Sequence, residues 1–141
     1  MKEFKSKVGY EILIPTLLLL IVIMLLPIIN GAPLAAIITM VVIILVIAAF
    51  ILHLFFQTSY FINERDELLI KAGSIFKSPV NISTIESVTK TRSPTSSPAP
   101  SMDRLKLTFG KSDPVIISPK DKIGFVRELR KINPSIKSKP E

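Results

Sequence analysis

The sequence predicts an α+β protein in two parts: an N-terminal two-helix transmembrane hairpin, then a small antiparallel β-barrel or sheet capped by a C-terminal helix. Three observations carry this expectation. The chain is 48% hydrophobic with mean hydropathy +0.49 over 141 residues, and the excess is concentrated in the first 56. After Phe56 the apolar pattern falls to short segments of period two, which suits strands with one buried face. Near the C-terminus Ile123, Val126, Leu129 and Ile132 recur at threes, a stripe for a helix laid over a sheet.

A helix crossing the hydrocarbon core needs about 20 mainly apolar residues, and the runs 12–29 and 34–56 fall within the usual spread of that length. Pro15 and Pro27 predict a kinked first helix whose regular part is shortened to its middle. In the second run Thr39 and His53 are the only polar side chains. Asn30-Gly31-Ala32-Pro33 joins a turn dipeptide to a proline suited to opening a helix, so the connection is a tight hairpin. A cleaved signal peptide competes for the first run, but the run exceeds the usual apolar stretch of about 7–15 residues and a second follows at once.

Lys2, Lys5 and Lys7 precede the hairpin, Arg65, Lys71 and Lys77 follow it, and the turn carries no basic residue. This bias predicts a multi-pass cell-membrane protein with both termini cytoplasmic. Tyr10 and Tyr60 flank the spans, either at headgroup depth or as ordinary packing residues. His53 lies about a turn from the cytoplasmic end of its helix with no ionisable partner in either span, and so reads as an interfacial neutral imidazole rather than a proton carrier. The expected division is a basic arm at 1–11, the hairpin at 12–56, a cytoplasmic domain at 57–136 and a tail at 137–141.

In the cytoplasmic half, Ser59 to Asn63 and Glu67 to Ala72 flank Glu64-Arg65-Asp66 as a first β-hairpin, with Tyr60, Ile62, Leu68 and Ile70 inward. Gly73-Ser74 turns the chain into a short strand at Ile75-Phe76, which Pro79 breaks. Further extended pieces are expected at Ile82 to Thr91, Arg104 to Phe109 and Pro114 to Ile117. In the second of these, Leu105, Leu107 and Phe109 face the core, and Arg104, Lys106 and Thr108 face water. The proline- and serine-rich run 93–102 reads as a projecting loop, either a binding loop or a plain connection. Ser118-Pro119-Lys120-Asp121 predicts a helix start with Ser118 as the cap, proline at the first position and Asp121 reaching back; Asn133-Pro134 ends that helix.

The composition also excludes chemistry. With no cysteine, one histidine and five scattered glycines, structural zinc, thiol catalysis, disulfide scaffolds and a phosphate loop have no residues to build them. No catalytic residues, metal site or cofactor are expected, and the chain does not read as an enzyme. Glu64, Asp66 and Glu67 read as solvated turn charges rather than metal ligands.

The formal charge is +7, and from Gln57 onward 15 Lys+Arg face 9 Asp+Glu. Tethered beside a bilayer, such an excess points to anionic headgroups. Lys90, Arg92, Arg104 and Lys106 around the proline-rich loop are the candidate patch for anion, lipid or partner contact. Nucleic acid is not an expected partner, because the charges lack interleaved aromatics or a recognition helix.

Several motifs carry a resemblance: Lys90-Thr91-Arg92-Ser93-Pro94, Ser97-Pro98-Ala99-Pro100-Ser101-Met102-Asp103-Arg104-Leu105, Ile117-Ser118-Pro119-Lys120-Asp121-Lys122, Phe125 and Asn133-Pro134. Over about 58–136 the chain resembles the bacterial pleckstrin-homology-like domain family of small membrane proteins, which includes the sublancin immunity protein. The resemblance implies a non-catalytic, membrane-tethered domain of that fold. A bacteriocin immunity factor acting at the cytoplasmic membrane, with a membrane protein or the toxin's target as partner, is one form of this. An anionic-lipid or protein-binding adaptor is the other. Arg92, Ser101, Asp103 and Arg104 match the family's most distinctive stretch, where Arg and Asp are expected to pin the loop ends, and Ser118 and Asp121 belong to its motif at 117–122.

Overall fold

A computed structural model describes residues 1–92 and 100–139. Helix α1 (Tyr10–Ile29) and helix α2 (Leu34–Phe56) form the expected hairpin. The first helix runs unbroken through Pro15 and Pro27, so the expected shortening does not occur. Polar side chains in the helices turn back onto carbonyls: Thr16 Oγ1 donates to Ile12 O at 2.7 Å and Thr39 Oγ1 to Ala35 O at 2.8 Å. Such bonds satisfy polar groups within a span. Only Leu13 and Ile44 are buried in the hairpin, whereas Leu18, Leu19, Leu45 and Val46 stand outward and exposed. Both helices are long and apolar enough to cross a membrane.

The rest is two four-stranded sheets. Strands β1 (Lys2–Lys5), β2 (Thr58–Ile62), β3 (Glu67–Ala72) and β4 (Phe76–Asn81) form the first sheet in that order, antiparallel throughout. In the second sheet β5 (Ile85–Thr91) is flanked by β6 (Arg104–Phe109) and β8 (Lys137–Lys139), with β7 (Val115–Ile117) beyond β6. Two separate sheets replace a closed barrel, and the antiparallel half of the expectation stands.

Four local expectations need correction. Residues 2–5, read as part of a basic arm, form an edge strand against β2, with Phe4 opposite Tyr60. Pro79 does not break its strand but lies inside β4 opposite Leu69. Edge strands accept proline because one side of their backbone needs no partner. The stretch read as extended from Ile82 begins as a 3-10 turn, Ile82–Thr84, opened by Asn81 Oδ1 accepting from the Ser83 amide at 3.0 Å. The last described residues, read as a tail, form β8, which runs parallel to β5.

Helix α3 (Lys122–Ile132) crosses the core. Its cap is Asp121, whose Oδ1 accepts from Gly124 N at 3.0 Å, and Ser118 is engaged elsewhere. Phe125, Val126 and Leu129 are buried, but Ile123 is 68% exposed, so the inward stripe is rotated from the one that spacing suggested. At its other end Asn133 Nδ2 donates to Ile82 O at 3.1 Å and Ile85 O at 3.2 Å, tying helix to turn. Phe125 belongs to the core with Leu68, Leu105 and Leu107, and its ring meets Phe4 edge-on at 5.3 Å and Tyr60 at 6.1 Å.

Candidate functional site: the seam between hairpin and domain

Strand direction gives the domain a near and a far end. Thr58 follows α2 almost at once and pairs with Ala72, which pairs with Phe76; these ends lie beside the hairpin. Glu64 to Glu67 and Asn81 lie at the opposite end. In the second sheet, contacts from α1 to residues 100–102 make Arg104, Thr91 and Ile117 near and Phe109, Ile85 and Val115 far.

Three sets of bonds close the near end. First, Gly9 N donates to Pro100 O at 3.2 Å, and Glu11 Oε1 accepts from Ser101 Oγ and Met102 N, both at 3.1 Å. A carboxylate at the mouth of an apolar helix is thereby satisfied, where an unpaired one would be costly. Second, Asp103 takes Lys7 Nζ at 3.1 Å on one oxygen and Lys122 Nζ on the other. Third, Tyr60, fully buried as a packing residue, accepts from Ser118 N at 3.0 Å and donates to Ser6 Oγ at 3.4 Å, while Ser6 and Ser118 hydroxyls meet at 2.9 Å. Burial pushes the Tyr60 phenol up from its ordinary value, so it stays protonated. At the foot of α2, His53 Nε2 accepts from Ser74 N at 3.3 Å. This bond holds the β3–β4 turn against the helix.

The hydrogen bond from Lys122, helped by Lys7, holds the Asp103 carboxyl below the usual carboxylate range despite partial burial. A carboxyl whose folded pKa is depressed stabilises the fold fully above its unfolded value of about 4, and that contribution disappears as pH falls through the folded value. Acid titration of the folded protein is therefore expected to loosen this seam below about pH 4. In Asp103→Asn that part of the pH dependence should flatten, as read by amide exchange at residues 101–103.

The candidate patch divides. Lys90 and Arg92 are exposed at the near rim. Arg104 is 6% exposed and its Nε donates to Ser101 O at 2.6 Å, so it pins the loop end and is not a surface contact. Lys106 is half-buried in mid-strand opposite Thr89 and Ile116. Ser101 and Ser118 are buried bonding groups, Asp103 binds lysines rather than an arginine, and Asp121 caps α3. Residues 93–99 of the expected projecting loop lie outside the described residues. Among the described residues no group of three or more His, Asp or Glu could hold a metal ion. Sequence reading missed Glu11 and Lys7; a single acid opening an apolar run was the available signal, but its partners lie about ninety residues away.

The fold and its base define a class: a membrane-associated, pleckstrin-homology-like module carried on a helical hairpin. Residues 58–133 match the bacterial PH domain family, and the chain belongs to it. The match begins at β2, so the hairpin and β1, which completes the first sheet from the other side of it, are additions to the matched region. No curated protein and no solved structure matches the chain.

Proposed function

We propose that the protein is a non-catalytic factor spanning the cell membrane twice with both termini cytoplasmic, and that it protects its producer from a bacteriocin by occupying or shielding the toxin's membrane target. The supporting observation is the seam. Both feet of the hairpin are bonded to the domain, through Glu11 to Ser101 and Met102 and through His53 to Ser74, so the domain is an extension of the anchor with one face turned to the bilayer. A protein built this way suits blocking a site at the membrane surface. Resemblance to a family that includes an immunity protein is what motivates the protective role.

Expression in a strain sensitive to sublancin and related peptides tests this: raised resistance is expected, and unchanged inhibition removes immunity to those agents. Topology is read separately with an impermeant thiol reagent on intact cells. Asn30→Cys is expected to react and Ser112→Cys to stay unlabelled.

Lys90 and Arg92 favour a second reading, an adaptor that reads anionic lipid. In nanodiscs containing phosphatidylglycerol, amides of 89–92 are expected to exchange more slowly than in phosphatidylcholine, and Lys90→Ser with Arg92→Ser should erase the difference. Equal exchange in both lipids dismisses that reading.

A further inference from the structure

We infer that the near end of the first sheet is a third membrane contact, in which Ile75 and Phe76 enter the bilayer interface and Lys5, Lys71 and Lys77 engage anionic headgroups above them. This rests on the reading that the hairpin spans the membrane.

Depth comes from α2. Its 23 residues, at about 1.5 Å each, exceed a hydrocarbon core of about 30 Å by roughly one turn. The last turn, from His53 to Phe56, therefore reaches the headgroup boundary. The β3–β4 turn lies beside it: Ser74 bonds His53, and a Cβ on Gly73 would sit 3.1 Å from both His53 and Leu54 side-chain atoms. Gly73, at φ +63°, bends the chain there, and next along it stand Ile75 and Phe76, 66% and 58% exposed. Two large apolar side chains adjoining the apolar flank of a spanning helix extend that surface outward.

The charge lies where such a contact needs it. Cross-strand partners share a face of a sheet, and the register sets Lys5, Ser59, Lys71 and Lys77 in one row across all four strands. Three lysines in a row, two of them directly opposite each other, repel and destabilise an isolated sheet. Anionic headgroups remove that cost. The Lys71 ammonium lies 4.4 Å from the centre of the Phe61 ring, a cation–π contact on the same outer face that leaves its N–H groups open to a headgroup. The far end of the same strands carries Glu64, Asp66 and Glu67 together with Lys2 and Arg65. In the near row the one carboxylate within reach among the described residues is that of Glu3, which accepts from Ser59 Oγ at 3.1 Å, so lysine stays in excess beside the hairpin, next to the bare apolar residues.

The chain has no cysteine, so a single introduced thiol carries a unique label. Full-length protein in vesicles of phosphatidylglycerol and phosphatidylcholine would carry a fluorophore on Ile75→Cys, Phe76→Cys, the far-end Asp66→Cys or the mid-span Val46→Cys, with lipids bearing a quencher near the headgroup end of the acyl chain. Labels at the two tip positions are expected to be quenched at least about twofold more than at Asp66→Cys, matching burial of roughly 5–10 Å into the interface. Adding Lys5→Ser, Lys71→Ser and Lys77→Ser should bring the tip close to its quenching in phosphatidylcholine alone. Tip labels no more quenched than the Asp66→Cys label, with the Val46→Cys label inside the bilayer, overturn the third contact and leave the anchor intact. A water-exposed label at Val46→Cys overturns both. Tip labels shielded from water yet untouched by lipid quencher indicate a protein partner or a second copy and also overturn the proposal.

Discussion

Phe125→Ala is expected to unfold the β-domain at temperatures where the helical hairpin persists. The ring is fully buried and is the side chain on which α3, β1 and β2 meet, through the edge-on contacts with Phe4 and Tyr60. Truncating a buried phenylalanine costs about 3–5 kcal/mol, because the transfer free energy of the lost atoms and the cavity left behind add. A domain of this size has total stability of about 5–15 kcal/mol, so a loss of that size takes a large share. Thermal scans followed by circular dichroism should show the sheet signal melting early. Phe125→Leu should recover part of the midpoint, since it restores apolar atoms that alanine lacks and leaves a smaller cavity. A Phe125→Ala midpoint equal to that of the natural sequence would mean that α3 is not a structural part of the core.

Gly9→Val acts on the seam rather than the core. A Cβ at Gly9 would stand 2.3 Å from Pro100 O and 2.6 Å from Ser101 Cα, both backbone atoms with no rotamer to yield. One side must move away, and the bonds from Glu11 to Ser101 and Met102 lie in the path of that movement. Overpacking of this kind costs roughly 1–3 kcal/mol, occasionally more. The expected result is faster amide exchange at residues 101–103, with β2 to β4 unaffected. Gly110→Ala is the contrasting control: its new Cβ would meet only the movable Glu86 carboxylate, at 3.0 Å. Equal exchange in both variants would show that the helix and the loop are not held together at this point.

Much of the plan is written locally. The helix limits at 29, 34 and 56 follow from unbroken apolar runs bounded by Asn30-Gly31 and Gln57. The pairs Tyr60 with Ile62 and Leu68 with Ile70 alternate in sequence and are buried in the structure. Arg104 misled for a physical reason. Alternation along β6 assigns it to water, but the strand begins where the chain folds over it, and Ser101 O takes its Nε. Ser118 misled likewise, because a hydroxyl that reads as a helix cap is committed to Ser6 and Tyr60. Ile123 fits a spacing of threes, yet α3 turns Phe125 inward, since the larger ring fills the space between the sheets. β8 gave no periodic signal at all, being three residues that take their conformation from β5.

Sequence by itself determined the three helices and the inner strands, where the apolar surface is too long for water alone, and which catalytic chemistries lack their residues. Those properties depend on neighbours within a few positions, and local periodicity reports them directly. Tertiary structure decided that the first residues complete a sheet begun on the other side of the hairpin, that Glu11 and Asp103 close the base, and which basic side chains are buried and which remain at the rim. These are pairings between segments brought together only when the hairpin returns the chain to its starting side, and no local pattern encodes a partner ninety residues away.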